Sequence, residues 1–289
     1  MKSLLGVALI IIGVIVVVSA VWPAWSTMNK DEVGDYLQEP IDQLNEVKLS
    51  GVAVDWQIEA SDSSSIEVEL VNKHNRTNMY SSVQNGTLTV EIKREQRFAF
   101  LSFDFSFQQE QAIARIPAEY IDSLEVHSVS GDILIRELSR LNSIALKTVS
   151  GDLKADSLTI DSAAVFNTTS GDILIESVLA EEVKAETVSG DISIPTIQGT
   201  LVAKTTSGDI HAEFQHEHKE ATLRTISGDV LVGLANANAD LSLKTTSGDL
   251  MVVPSLSNQQ LSNREISGKI GEGEYPVSVT TTSGDIVIK

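Results

Sequence analysis

The chain has 289 residues, 40 acidic against 21 basic side chains and no cysteine, for a formal net charge of −19. So acidic a chain is a poor partner for nucleic acid, whose phosphates call for clustered Lys and Arg. Without cysteine it holds no disulfide framework, thiolate nucleophile, zinc–thiolate site or lipid-modified N-terminal cysteine. An apolar fraction of 42% suffices for a packed core, and only 5% aromatics beside abundant Val, Ile, Thr and Ser lean towards β structure.

Leu4 to Trp22 are uncharged and almost wholly apolar, interrupted only by Gly6, Gly13 and Ser19. As a helix this run reaches across about 28 Å, close to the roughly 30 Å hydrocarbon core of a bilayer. Lys2 precedes it, whereas Asp31, Glu32, Asp35 and Glu39 come after it, so the positive-inside rule puts the N-terminus in the cytoplasm and the remainder outside. Residues 1–25 are therefore expected to be a single-pass membrane anchor. A cleaved signal peptide with Val18-Ser19-Ala20 at its cleavage site is the alternative, and it too exports the rest. Residues 26–45, with Pro40 and several acids, read as a juxtamembrane linker with a short helix around Asp42 to Val47.

Residues 46–120 alternate in the strand manner, as in Ile66-Glu67-Val68-Glu69-Leu70, and Asn85-Gly86 is a hairpin signal. This region is expected to be an N-terminal β cap. Within it, Phe98, Phe100, Phe103, Phe105 and Phe107 are five of the seven phenylalanines, and the last three alternate along one strand face. Such a strip either covers the open end of the adjoining C-terminal region or offers an interaction surface to lipid, cell wall or a partner.

From residue 121 to 289 the chain repeats itself. Ser-Gly-Asp stands at Ser130-Gly131-Asp132, Ser150-Gly151-Asp152, Ser170-Gly171-Asp172, Ser189-Gly190-Asp191, Ser207-Gly208-Asp209, Ser227-Gly228-Asp229, Ser247-Gly248-Asp249 and Ser283-Gly284-Asp285. Ser267-Gly268-Lys269 is a degenerate copy. Successive glycines are 20, 20, 19, 18, 20, 20, 20 and 16 residues apart, a period that signals a repeat architecture. Seven and five residues before each glycine the positions are apolar, with Asn263 the exception; three before, threonine dominates, with Glu265 in the degenerate copy. After each turn Ile133, Leu153, Ile173 and their equivalents form another apolar column, and Leu138, Leu158, Val178 and Ile197 a looser third. No unit can bury its apolar face alone, so the units are expected to stack. The fold expected is all-β: a parallel β-solenoid of about nine coils, right-handed as parallel connections are, roughly 40 Å long at about 4.8 Å per coil. The chain ends inside a repeat, which leaves a bare last coil open to end-on pairing.

The glycines suit a turn with positive φ where a Cβ would clash, and Ser and Asp beside them can bond nearby amides. Aspartates stacked at about 4.8 Å repel by roughly 0.9 kcal/mol per pair even in water. Backbone donors, a bound calcium ion, or the outward basic residues Lys147, Lys204, Arg224, Lys244 and Arg264 would have to offset this. Turn formation is the preferred role for Gly131, Asp132 and their equivalents, over a calcium ladder. An ice-binding threonine array is disfavoured because the threonines share the apolar face.

No nucleophile elbow, phosphate-binding glycine loop or zinc-helix motif is present. His211, His216 and His218 cluster in sequence, read as solvated loop imidazoles rather than metal ligands. No catalytic residue, metal or cofactor is assigned. The reiterated Ser-Gly-Asp-Ile units, preceded by Ile116-Pro117 and Tyr120, resemble the bacterial "putative adhesin" repeat family. The short N-terminal anchor is similar to that of its LiaG-type membrane proteins of envelope-stress operons. The resemblance implies a bacterial envelope setting, outside the cytoplasm, and no catalytic residues. The expected function is a non-enzymatic, membrane-anchored solenoid presenting a surface to an envelope component or membrane protein. The alternative is an exported carbohydrate-active β-helix enzyme acting on cell-wall polysaccharide.

Overall fold

The computed structural model describes residues 31–73, 77–94, 110–138, 140–215, 219–235 and 238–289. Among them every regular element is a β-strand. The repeat explains why. In Ser143–Lys147 the two-residue alternation sends Ile144 and Leu146 inward, and after the turn at Gly151 the strand Leu153–Thr159 does the same with Leu153 and Ala155. Ile144 sits in parallel register with Leu124 on one side and Ala164 on the other. Leu153 sits likewise between Ile133 and Ile173. Each Val, Leu or Ile so enclosed contributes about 1.5–3 kcal/mol. Leu138, Leu158, Val178 and Ile197 close the interior as a third inward column.

One parallel sheet stacks, in spatial order, Thr87–Arg94, Glu46–Gly51, Ser123–Ser128, Ser143–Lys147, Ala163–Asn167, the C-terminal parts of Ile173–Glu186 and Ile192–Lys204, Ala221–Arg224, Tyr275–Thr280 and Ala239–Lys244. The strands beyond their turns make the second sheet, from Glu110–Pro117 and Val54–Ser61 at one end to Ile286–Ile288 and Leu250–Val252 at the other. The architecture is an all-β, mostly parallel solenoid.

Register revises the expected boundaries at both ends. Glu46–Ser61 is a full coil, and the strands Thr87–Arg94 and Glu110–Pro117 supply another outside it. The elements that close this end are antiparallel: Thr77–Gln84 and then Asp31–Gly34 on one sheet, Ser65–Asn72 and then Tyr36–Pro40 on the other. The stretch expected as linker is thus paired strand from Asp31 to Pro40. No helix spans 42–47, where Glu46 opens a strand. Its pattern was hidden because in the outer strand Tyr36–Pro40 only Leu37 is buried, the solvent side being free to carry polar residues and the terminal Pro40. The hairpin at Asn85-Gly86 does form, with φ of 52° and 81°.

The C-terminal end departs further. Tyr275–Thr280 and Ile286–Ile288 do not stack beyond the coil of Gly248 but insert between it and the coil of Gly228. The last coil is therefore interior, not bare, and the terminal coil is Ala239–Val252. The degenerate ninth unit is no coil: Glu265–Lys269 runs antiparallel to Ala239–Lys244, with Ser257–Leu261 outside it. Asn263 and Glu265 occupy positions that would face the apolar interior of a coil, so this segment folds back as a cover. The anchor segment 1–25 and the phenylalanine strip 98–107 lie outside the described residues. No helix long and apolar enough to cross a membrane occurs among the described ones.

Candidate functional site

The repeated glycines, threonines and aspartates meet along one corner of the stack. There the coils approach so closely that a Cβ on Gly208 would stand 2.0 Å from the Gly190 carbonyl oxygen, and one on Gly228 2.0 Å from that of Gly208. From Gly190 onward these glycines also hold φ near +150°, as at Gly208 (152°) and Gly284 (150°). The carbonyls they leave accept side-chain donors from the next coil. Thr148 Oγ1 donates to Gly131 O at 3.2 Å, Thr168 to Gly151 O at 3.1 Å, Thr205 to Gly190 O at 3.1 Å and Thr225 to Gly208 O at 3.0 Å. The inserted coil keeps the rule: Thr281 donates to Gly228 O and Thr245 to Gly284 O, both at 3.1 Å. At the far end Gly248 O accepts instead from the Arg264 guanidinium at 2.8 Å, which closes the series.

The aspartates form a second ladder. The Asp152 amide donates to Asp132 Oδ1 at 2.8 Å, Asp172 to Asp152 at 3.0 Å, Asp209 to Asp191 at 2.8 Å and Asp229 to Asp209 at 2.7 Å. Asp285 and Asp249 continue it at 2.7 Å each. Backbone donors, each made rigid by its own coil, thus answer the stacked carboxylates. Of the basic residues named from the sequence, Lys147 and Lys204 lie across the turn on the other sheet and serve acids of that face, Lys147 bonding Glu125 at 2.7 Å and Lys204 bonding Glu186 at 3.2 Å, while Arg264 caps the glycine series. Burial would raise the Glu186 carboxyl, but hydrogen bonds from Lys184 and Lys204 outweigh it and hold the group below the usual range. Sequence reasoning missed Asp55, whose Oδ1 accepts the Asp132 amide at 2.8 Å and starts the ladder. Val54-Asp55-Trp56 stands where later coils have Gly-Asp-Ile, so only the alternation after Asp55 could have flagged it.

Burial raises the Asp152 carboxyl, yet the Asp172 amide and Lys154 ammonium more than offset it, leaving the pKa lowered. A folded pKa below the unfolded one stabilises the protein above the ordinary carboxylate range, and that contribution is lost as pH falls through the lowered value. The expected outcome is a thermal midpoint that drops on acidification below about pH 4. It should drop less steeply in Asp152→Asn, as monitored by circular dichroism.

His211 lies 3.0 Å from Glu213, while His216 and His218 lie outside the described residues. His127, part-covered in the outward column, has its pKa lowered by burial and then by Lys147. Among the described residues no three His, Asp or Glu side chains converge as a metal site. A depression of about 580 Å³ is lined by Glu59, Leu134, Arg136, Glu137 and Asp156, and Glu59 there is held by Arg115 at 3.0 Å.

Two sheets of in-register coils, locked at one corner by threonine–carbonyl and aspartate–amide ladders, define a parallel β-solenoid repeat protein. Residues 44–289 match the family model Toastrack DUF4097, and the chain belongs to that family. No curated protein matches it. A solved "putative adhesin" of Parabacteroides distasonis ATCC 8503 is 15% identical over 90% of this chain and 96% of its own, with a TM-score of 0.49. A "putative adhesin" of Parabacteroides merdae ATCC 43184 is 15% identical over 88% and 95%, with a TM-score of 0.46. A "putative lipid binding protein" of Parabacteroides distasonis ATCC 8503 is 15% identical over 91% and 98%, with a TM-score of 0.43. These likenesses carry no argument about what the chain does.

Proposed function

We propose that the chain is a non-enzymatic solenoid, anchored in the bacterial membrane by residues 1–25, that presents an extended adhesin-like surface outside the cytoplasm, in a LiaG-like envelope-stress setting. The observation that carries this reading is the use of the repeated polar residues. Thr205, Asp209 and their equivalents spend their hydrogen bonds on the neighbouring coil, so the most repeated chemistry of the chain builds a scaffold. The apolar run before Asp31 supports the anchor, and the acids just after it support export. Phe98, Phe100, Phe103, Phe105 and Phe107 are the proposed contact residues, on sequence grounds alone.

Replacing those five phenylalanines by serine is expected to leave strand content unchanged while releasing partners captured from intact envelopes. Undiminished capture would remove their role. Protease shaving of intact cells should digest the region after residue 31, and complete protection would contradict export. Release of soluble fragments from cell-wall polysaccharide by the purified chain would favour the enzyme reading instead.

A further inference from the structure

The far end of the stack carries an opening that the ladders do not explain. At the other three corners the outermost parallel strand is covered by an antiparallel one: Thr87–Arg94 by Thr77–Gln84, Glu110–Pro117 by Ser65–Asn72, and Ala239–Lys244 by Glu265–Lys269. Leu250–Val252 pairs with Ile286–Ile288 alone. The Asp249 carbonyl accepts from the Ile286 amide, and the Val253 amide donates to the Ile288 carbonyl. By the alternation of a parallel ladder, the N–H and C=O groups of Leu250 and Val252 then point the other way, out of the end of the stack. Their side chains extend the interior columns of Ile286 and Ile288 but remain only half-buried, as do Leu256 and Ile266 beside them. Met251, Val253 and Leu261 are 58%, 67% and 63% exposed. An open edge of this kind is a template for another strand.

We propose that this edge pairs with the same edge of a second copy, tip to tip and antiparallel, about a two-fold axis perpendicular to the stack. No described segment fills the place: the remaining strands at this end, Ser257–Leu261 and Glu265–Lys269, pair with each other and with Ala239–Lys244. The charge at this end permits a copy to approach. Residues 239–289 carry six acidic and four basic side chains, a net −2 out of −19, so two such ends meet with little of the repulsion the rest would impose. Arg264 and Lys244 beside Asp249 and Glu265 give both ends both signs, which a two-fold axis can bring into opposition. Where the chain is anchored in the proposed manner, the open end is the one farthest from the bilayer, and pairing joins copies on facing membranes. That corollary rests on the anchored reading; the pairing does not.

The test uses the full chain in detergent micelles, with protein mass read by analytical ultracentrifugation. A concentration-dependent doubling of protein mass is expected. It should be lost in the double variant Met251→Lys/Val253→Lys with unchanged circular dichroism, and kept in Ile121→Lys, a position 62% exposed away from the tip. A second measurement needs no charge: in a chain without other cysteines, Met251→Cys should cross-link between copies with a short bismaleimide, and Ile121→Cys should not. A parent chain that stays monomeric, or a dimer that survives the double variant, overturns the proposal. Vesicles carrying the full chain are the second arm, where clustering that disappears in the double variant supports pairing across membranes. A micellar dimer without vesicle clustering upholds the pairing and overturns the anchored arrangement.

Discussion

Gly208→Ala is expected to lower the thermal midpoint by roughly 10 °C. The added methyl would stand 2.0 Å from the Gly190 carbonyl oxygen, which is main chain and fixed by its own coil. Relief would mean lifting one coil off the next, and with it the Thr205 bond to Gly190 O and the Asp209 amide bond to Asp191. The φ of 152° adds strain for any residue with a Cβ. Together these put the cost at about 3–5 kcal/mol. Gly233→Ala is the control, because its Cβ meets only the Glu213 side chain, at 3.0 Å to Cγ, and that chain can swing aside. It should cost less than about 1 kcal/mol. Equal losses in the two variants, measured by circular dichroism, would show that close coil contact is not what the glycines serve.

Phe166→Ala is expected to cost about 3–5 kcal/mol in the same measurement. Phe166 is 0% exposed and lies in register between Leu146 and Ala185. The column then runs small, Ala185 leading to Ala203, so one large ring fills space that neighbouring coils leave. No side chain adjacent in the column on that side is long enough to collapse into the hole, which is the condition for a large cavity penalty. Phe166→Leu keeps most of the volume and should cost about 1 kcal/mol. A loss below about 1 kcal/mol for Phe166→Ala would mean the interior is loosely filled.

Much of this was legible in the residues, and the reasons differ by element. Val126, Leu146 and Phe166 recur at one offset from the glycine, and stacked burial can be inferred from that recurrence alone. The ladders were half legible: the side chains were plain, but that Thr205 would donate to a glycine carbonyl and the Asp209 carboxylate accept the Asp229 amide depends on how near the coils come. The position of the C-terminal coil was not legible. Ser283-Gly284-Asp285 carries the same local signals as its sequential neighbours, and nothing in it distinguishes adding to the end from inserting one place earlier. Only Asn263, Glu265 and Lys269, polar where a coil needs apolar or ladder residues, marked the segment that folds back. At the other end, Glu46–Gly51 and Val54–Ser61 form a coil without a Ser-Gly-Asp turn, so the repeat count could not include it.

The in-register stack with its inserted coil is tested most directly by cysteine pairs in a chain that has no other cysteine. Thr280 pairs with Arg224 on one side and Lys244 on the other, at the spacing of adjacent strands, which suits disulfide formation. Arg224→Cys/Thr280→Cys and Lys244→Cys/Thr280→Cys are expected to oxidise readily, and Arg224→Cys/Lys244→Cys, one coil too far apart, is not. Ready oxidation of the 224–244 pair with none at 224–280 would mean that the coils stack in chain order, contrary to the topology described.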